Sequence, residues 1–143
     1  MQVAQILKTK GRTVATVAPE LRIAEVIDTL SRRRIGAVLV TSGEHEVAGI
    51  LSERDLIHGL ADHGARLLEM RVSEIMTKAV VTCTPDNTVE EIMREMTNRR
   101  IRHIPVLEGG RLCGIISIGD VVKNRLEELS AESDMLRSYI VGA

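Results

Sequence analysis

Two short segments carry the residues best suited to chemistry. Gly49-Ile50-Leu51-Ser52-Glu53-Arg54-Asp55 recurs as Gly114-Ile115-Ile116-Ser117-Ile118-Gly119-Asp120. Each places a hydroxyl and a carboxylate three residues apart, after an apolar run and at the start of a helical pattern. An ionised Asp is a double acceptor, so Asp55 or Asp120 can receive both hydroxyls of a ribose. Ser52 or Ser117, at a helix N-terminus, offers a hydroxyl beside free backbone N–H groups and the positive end of the helix dipole, which favours phosphate. Arg102 adds a planar guanidinium and His103 a ring donor to that phosphate, whereas the corresponding first-copy residues, Gly36 and Ala37, add neither. Paired, unequal sites for a molecule with sugar hydroxyls and phosphate are therefore expected. The competing reading is a capping box, in which Ser and Asp satisfy backbone groups and bind nothing.

The elements that position these residues are duplicated as well. Pro19, Glu25, Arg33, Arg34, Ile35 and Val40 return as Pro85, Glu91, Arg99, Arg100, Ile101 and Val106 at an offset of 66. The openings also match, Val3, Ile6 and Leu7 against Val72, Ile75 and Met76, with three extra residues near Lys10 to Arg12 in the first copy. A period this long suits two small subunits of structure rather than a solenoid. In the first copy, Val14 to Val17 reads as a short strand, and Pro19 and Glu20 start a helix with apolar Ile23, Val26, Ile27 and Leu30. Ala37 to Val40 and Val47 to Leu51 read as strands around a turn at Ser42, Gly43, Glu44 and His45, and Ser52 starts another helix. The second copy repeats this order with a strand over Ala79 to Thr82, a helix over Thr88 to Asn98, strands over His103 to Leu107 and Leu112 to Ile116, and a turn at Glu108-Gly109-Gly110. The expected division is 1–64, a connector over 65–71, a second unit over 72–126 and a helical extension over 127–143.

Composition narrows the function classes. The 143 residues carry a net charge of −1, so no strong field recruits nucleic acid or anionic membrane. Hydrophobic residues make up 44%, enough for a shared core, and the apolar stretches are strand-sized rather than membrane-spanning. A cytoplasmic protein is expected, since the N-terminus lacks a secretory pattern. Cys83 and Cys113 have no C-x-x-C spacing, and the four histidines have no ligand-like spacing, so no metal site is indicated. No phosphate-binding loop, dinucleotide fingerprint or nucleophile elbow occurs, and no enzyme activity is expected. With Tyr139 the only aromatic residue, any flat ring would be held by aliphatic side chains, and a stacking platform for single-stranded nucleic acid is absent.

The doubled β-α-β-β-α order, the strand Arg102-His103-Ile104-Pro105-Val106 and the segment Gly114 to Asp120 resemble the cystathionine β-synthase (CBS) domain. The resemblance covers nearly the whole chain as a tandem pair, although Leu39 stands where the family often has Pro. It implies an α+β fold in which two pseudo-symmetric units pack sheet to sheet as one disc with two clefts, which in this family commonly bind adenine nucleotides. It also implies that the Asp of one copy faces the first strand and mid-unit segment of the other. On that mapping a better site joins Asp120, Ser117, Arg102 and His103 to an adenine slot near Thr13, Val14, Ile35 and Gly36, with Ile116 and Ile118 beside it. A weaker site joins Asp55 and Ser52 to Ala79, Val80 and Ile101, with Arg54 partly supplying the phosphate contact.

The implied ligand is AMP, ADP, ATP or NAD(H), with AMP or NAD(H) favoured and no required cofactor. An anion clamp suits phosphate better than the sulfonium of S-adenosylmethionine. From Val121 a helix without a breaker runs to Gly142, with Val122, Leu126, Leu129, Leu136 and Ile140 on one seam. That seam either packs across the two units or forms a homodimer. The function expected is a regulatory sensor acting on an unknown effector protein; the alternative is a ligand-free protein interaction module.

Overall fold

In the computed structural model, which describes residues 1–43 and 46–142, two small sheets are built from the two copies. The element order is α1 (Val3–Lys10), β1 (Thr16–Val17), α2 (Ile23–Arg33), β2 (Ala37–Thr41), β3 (Val47–Ser52), α3 (Glu53–His63), a 3-10 helix (Gly64–Glu69), α4 (Val72–Ile75), α5 (Val89–Arg99), β4 (His103–Glu108), β5 (Arg111–Ser117) and α6 (Ile118–Val141). Glu44 and His45, expected in a turn, lie outside the described residues. The α+β architecture with a long C-terminal helix is the one the sequence leads to, and most of the connector expected over 65–71 lies in a 3-10 helix, Gly64–Glu69.

The first sheet has the order β1-β2-β3, with β1 parallel to β2 and β2 antiparallel to β3. The second has only β4 and β5, antiparallel. The strand expected over Ala79 to Thr82 does not form, and its counterpart to β1 is a single parallel bridge, Cys83 to Val106. The cause is Pro105. In the first copy the Leu39 N–H donates to the Ala15 carbonyl at 3.0 Å. Pro105 occupies the position of Leu39 and has no N–H, so that rung of the ladder is lost. Only Cys83 N–H to Pro105 O (3.0 Å) and Leu107 N–H to Cys83 O (2.8 Å) remain. The β4–β5 hairpin closes through Gly109 and Gly110, both at positive φ (60° and 78°), as a two-residue turn of this kind requires.

The helix expected from Pro19 begins instead at Ile23. Residues 18–21 form a turn, and residues 19–23 are tied to 70–73: Val72 N–H donates to Leu21 O, Ser73 N–H to Pro19 O, and Ile23 N–H to Met70 O, at 2.8 to 3.0 Å. The second copy does the same with the N-terminus, because Val3 N–H donates to Asn87 O, Ala4 N–H to Pro85 O, and Val89 N–H to Met1 O, each at 2.9 Å. Each unit's opening segment is thus docked crosswise. Val3, Ile6 and Leu7 of α1 sit in the core of the second unit with Ile92, Met96, Ile104, Val106 and Ile116. Leu67, Met70 and Val72 sit in the core of the first with Ile23, Val26, Val38, Val40 and Leu51.

Two glycines permit this docking. A β-carbon at Gly114 would lie 2.6 Å from Leu7 Cδ2, and one at Gly49 would lie 2.6 Å from Met76 Sδ and 2.9 Å from the Thr77 carbonyl. Division along the chain and division in space therefore differ: each core borrows a segment that precedes the other copy.

Helix α6 buries only Val121 and Asn124. The seam residues Val122, Leu126, Leu129, Leu136 and Ile140 are 46 to 75% exposed, so within this chain the seam does not pack across the two units.

Candidate functional site

The two Ser-x-x-Asp segments both form capping boxes. Ser52 N–H and Oγ–H donate to Asp55 Oδ2 at 2.8 and 3.1 Å. Ser117 N–H and Oγ–H donate to Asp120 Oδ2, each at 2.9 Å, and Asp120 N–H returns to Ser117 Oγ at 3.2 Å. Capping fixes both carboxylates at helix N-termini with their chains held by β3 and β5. It leaves acceptor capacity on each, since an ionised carboxylate has about four lone-pair sites. Capping and ligand binding are thus compatible uses of the same Asp.

The environments of the two differ. Asp55 borders a cavity of about 410 Å³, within the roughly 300–1,000 Å³ span of small-molecule pockets. Its lining brings together Ser52, Arg54 and Asp55 with Ala79, Val80 and Ile101, the grouping the sequence assigns to the weaker site. Arg102, His103 and Gly36 also line it, whereas the sequence reading places all three with Asp120. β4 starts at His103, two residues after Ile101, so these residues border the same opening as the mid-unit segment, while His103, cross-strand from Ser117, also feels the charges of Asp120 and Lys10. Gly36, lacking a side chain, lets the His103 ring come close: a β-carbon there would lie 3.3 Å from His103 Cε1.

Of the remaining expected adenine-slot residues, none borders this cavity. Thr13 and Val14 lie ahead of β1, and Ile35 lies between α2 and β2. Ile116 is fully buried in the second core and cannot face a ligand. Ile118 is exposed on α6, with its N–H donated to Arg102 O at 2.8 Å.

Polar groups are ordered around the cavity. Thr77 Oγ1 donates to Asp55 Oδ1 at 2.9 Å, and Arg54 Nη1 donates to the Arg100 carbonyl at 2.9 Å. Arg100 ends α5 in a left-handed conformation, φ 53°, which turns the chain from the helix into the cavity wall at Ile101. The lining contains Arg54, Arg100 and Arg102 alongside Glu53 and Asp55, a balance of three cations to two anions that suits a bound phosphate. Burial holds the His103 imidazole below its ordinary value, Lys10 and Arg102 add to this, and Glu53 and Asp120 oppose it. His103 is therefore neutral at pH 7 and offers one N–H donor. The apolar wall is Ile50, Ile57, Ala79, Val80, Val81 and Ile101. Such a site can hold a flat ring between aliphatic groups, accept a diol at Asp55 and donate to an anion.

At Asp120 the carboxylate is already engaged. Lys10 Nζ lies 2.6 Å from Asp120 Oδ2 and 2.8 Å from the Ile115 carbonyl. Burial tends to raise the Asp120 carboxyl, but hydrogen bonds from Lys10 and Ser117 outweigh it and hold the group below the usual carboxylate range. Thr77, Lys10, Arg100 and Glu53 are the site residues that sequence reasoning did not single out; the three-residue surplus near Lys10 was the one visible signal among them. Burial pushes the Cys83 thiol up to about 12, with Cys113 adding to it, so it is no nucleophile at neutral pH.

The comparisons with known proteins agree on one family. A family model described as a CBS domain matches residues 3–62 and 72–127. The chain is 32% identical over 148 aligned positions to the CBS domain-containing protein CBSX3, mitochondrial, of Arabidopsis thaliana, covering 98% of this chain and 72% of that one. It is 50% identical to the solved CBS-domain containing protein of Agrobacterium tumefaciens, with a TM-score of 0.85 over 87% of this chain and 99% of that chain. A CBS domain pair solved in complex with 5′-methylthioadenosine and S-adenosyl-L-methionine shares the fold, with 22% identity and a TM-score of 0.79 over 90% of this chain and 98% of its own.

Proposed function

The chain belongs to the CBS domain family, as a tandem pair, and from that premise we propose that it is a regulatory rather than catalytic module whose Asp55 cleft takes an adenine nucleotide. The observation that carries this reading is the meeting, in one cavity of about 410 Å³, of a diol acceptor, Asp55, with Arg54, Arg102 and His103 and an aliphatic wall. The solved pair that holds two adenosine compounds supports the nucleoside part. The excess of arginines favours phosphate over a sulfonium cation. The cavity's size, at the small end of ligand pockets, favours a mononucleotide such as AMP over the two nucleotides of NAD(H). Ligand binding then shifts the balance of conformations or assembly and so acts on an effector protein.

The exposed seam of α6 supports a second role as a contact surface, with a homodimer as its occupant. If this surface were the protein's whole function, stability would be indifferent to nucleotides. Melting against AMP, ADP, ATP, NAD, NADH and S-adenosylmethionine separates the two readings. A ligand at a hundredfold excess over Kd adds about 2.7 kcal/mol, which for a chain of this size is roughly 8 °C. The shift is expected with AMP, lost in Asp55→Ala and reduced in Arg102→Ala. Equal shifts in wild type and Asp55→Ala would remove the cleft from the proposal.

A further inference from the structure

Each repeat meets the glycine–serine–aspartate segment of the other, and the two do so in different ways. After α4, which ends at Ile75, Thr77 supplies two donors to the first segment: its backbone N–H reaches the Ile50 carbonyl at 2.9 Å, and its hydroxyl reaches Asp55 Oδ1 at 2.9 Å. In the second segment Ile115 and Asp120 are the counterparts of Ile50 and Asp55. Helix α1 runs on to Lys10, twice the length of α4, and one ammonium replaces both donors, at 2.8 Å from the Ile115 carbonyl and 2.6 Å from Asp120 Oδ2. The three-residue surplus of the first repeat lies at this point of the chain.

Resting on the nucleotide reading above, we propose that Lys10 is a tethered occupant of the second site, filling the place of a ribose at Asp120 and limiting the protein to one nucleotide per chain. An ammonium on a carboxylate makes a charge-assisted bond, stronger than one from a neutral sugar hydroxyl. The pair is also partly sheltered, with the two side chains 31% and 22% exposed, so water and salt weaken it less than an open surface pair. Asp120 Oδ2 already accepts from Ser117 N–H and Oγ–H, and Lys10 is the third donor on that one oxygen. A ribose diol that spans both carboxylate oxygens must therefore displace the lysine from Oδ2 and leave its charge with the Ile115 carbonyl alone. Thr77 imposes no such demand on Asp55, because a neutral hydroxyl exchanges for another hydroxyl at small cost. The Asp55 side opens into the cavity described above.

Isothermal titration with AMP of wild type, Lys10→Met and Lys10→Met/Asp55→Ala tests this, with Lys10→Gln as a second variant should the first fail to fold. Met keeps the length of the stem and removes the donor. The expected stoichiometry is one AMP per chain in wild type, two in Lys10→Met and one in the double variant. One AMP in Lys10→Met, or two already in wild type, would overturn the role of Lys10 while leaving the nucleotide reading standing. Loss of a site in Lys10→Met would overturn it by making the lysine a phosphate ligand. No binding in wild type but one site in Lys10→Met would uphold the lysine's role and refute the reading of the Asp55 cleft. No binding in any of these proteins would overturn both.

Discussion

Leu7 and Gly114 come from different repeats and meet in one core, so a double-mutant cycle between them tests the crosswise docking. Leu7 is 1% exposed, and removing a buried leucine side chain costs about 2–5 kcal/mol. A β-carbon at Gly114 would stand 2.6, 3.1 and 3.4 Å from Leu7 Cδ2, Cδ1 and Cγ, so Gly114→Ala overpacks the contact at a cost of about 1–3 kcal/mol. In Leu7→Ala the atoms that clash are gone, and the new methyl enters the space they leave. The double variant is therefore expected to lose no more than Leu7→Ala alone, about 3 kcal/mol, rather than the roughly 5 kcal/mol of the two summed. Urea denaturation followed by circular dichroism measures all four corners of the cycle. Additivity within about 0.5 kcal/mol would refute the contact and with it the placement of α1 in the second core.

Two further outcomes follow from the same structure. His103 is held below the ordinary histidine value by burial, so its contribution to stability is complete above about pH 6.5 and is lost as the pH falls through its lower folded value, because the unfolded chain takes up the proton first. Urea midpoints between pH 8 and 5 should fall more steeply in wild type than in His103→Gln, and parallel curves would count against the burial. The exposed α6 seam predicts that Leu126→Glu with Leu129→Glu converts a homodimer to a monomer in light scattering while leaving the melting of the single chain within about 0.5 kcal/mol, since neither side chain is buried within it. A dimer that persists would place the interface elsewhere.

Much of the fold was legible because the repeat fixes which residues are equivalent. The apolar periods of α2 and α5, the Gly109-Gly110 turn and the Ser caps of α3 and α6 all act locally, and local chemistry shows in sequence. What was hidden depends on partners distant along the chain. Pro19 to Arg22 read as a helix start but form a turn tied to residues 70–73. Ala79 to Thr82 read as a strand but lack a rung, because the proline that marks the repeat's strand, Pro105, removes the donor. The site shows the same limit. Asp55, Ser52, Arg54, Ala79, Val80 and Ile101 were grouped together by the family mapping and meet in the cavity. Arg102 and His103 were placed with the Asp of their own repeat; they line the Asp55 cavity, and His103 also feels the charge of Asp120. Lys10 and Thr77 were invisible as site residues because their contacts cross between the repeats.

The decisive experiment is a crystal structure of the protein with AMP. The nucleotide is expected in the Asp55 cleft, its ribose hydroxyls on the Asp55 carboxylate, its phosphate toward Arg54, Arg102 and His103, and Lys10 still on Asp120. Nucleotide bound at Asp120 with the Asp55 cleft empty would contradict that expectation.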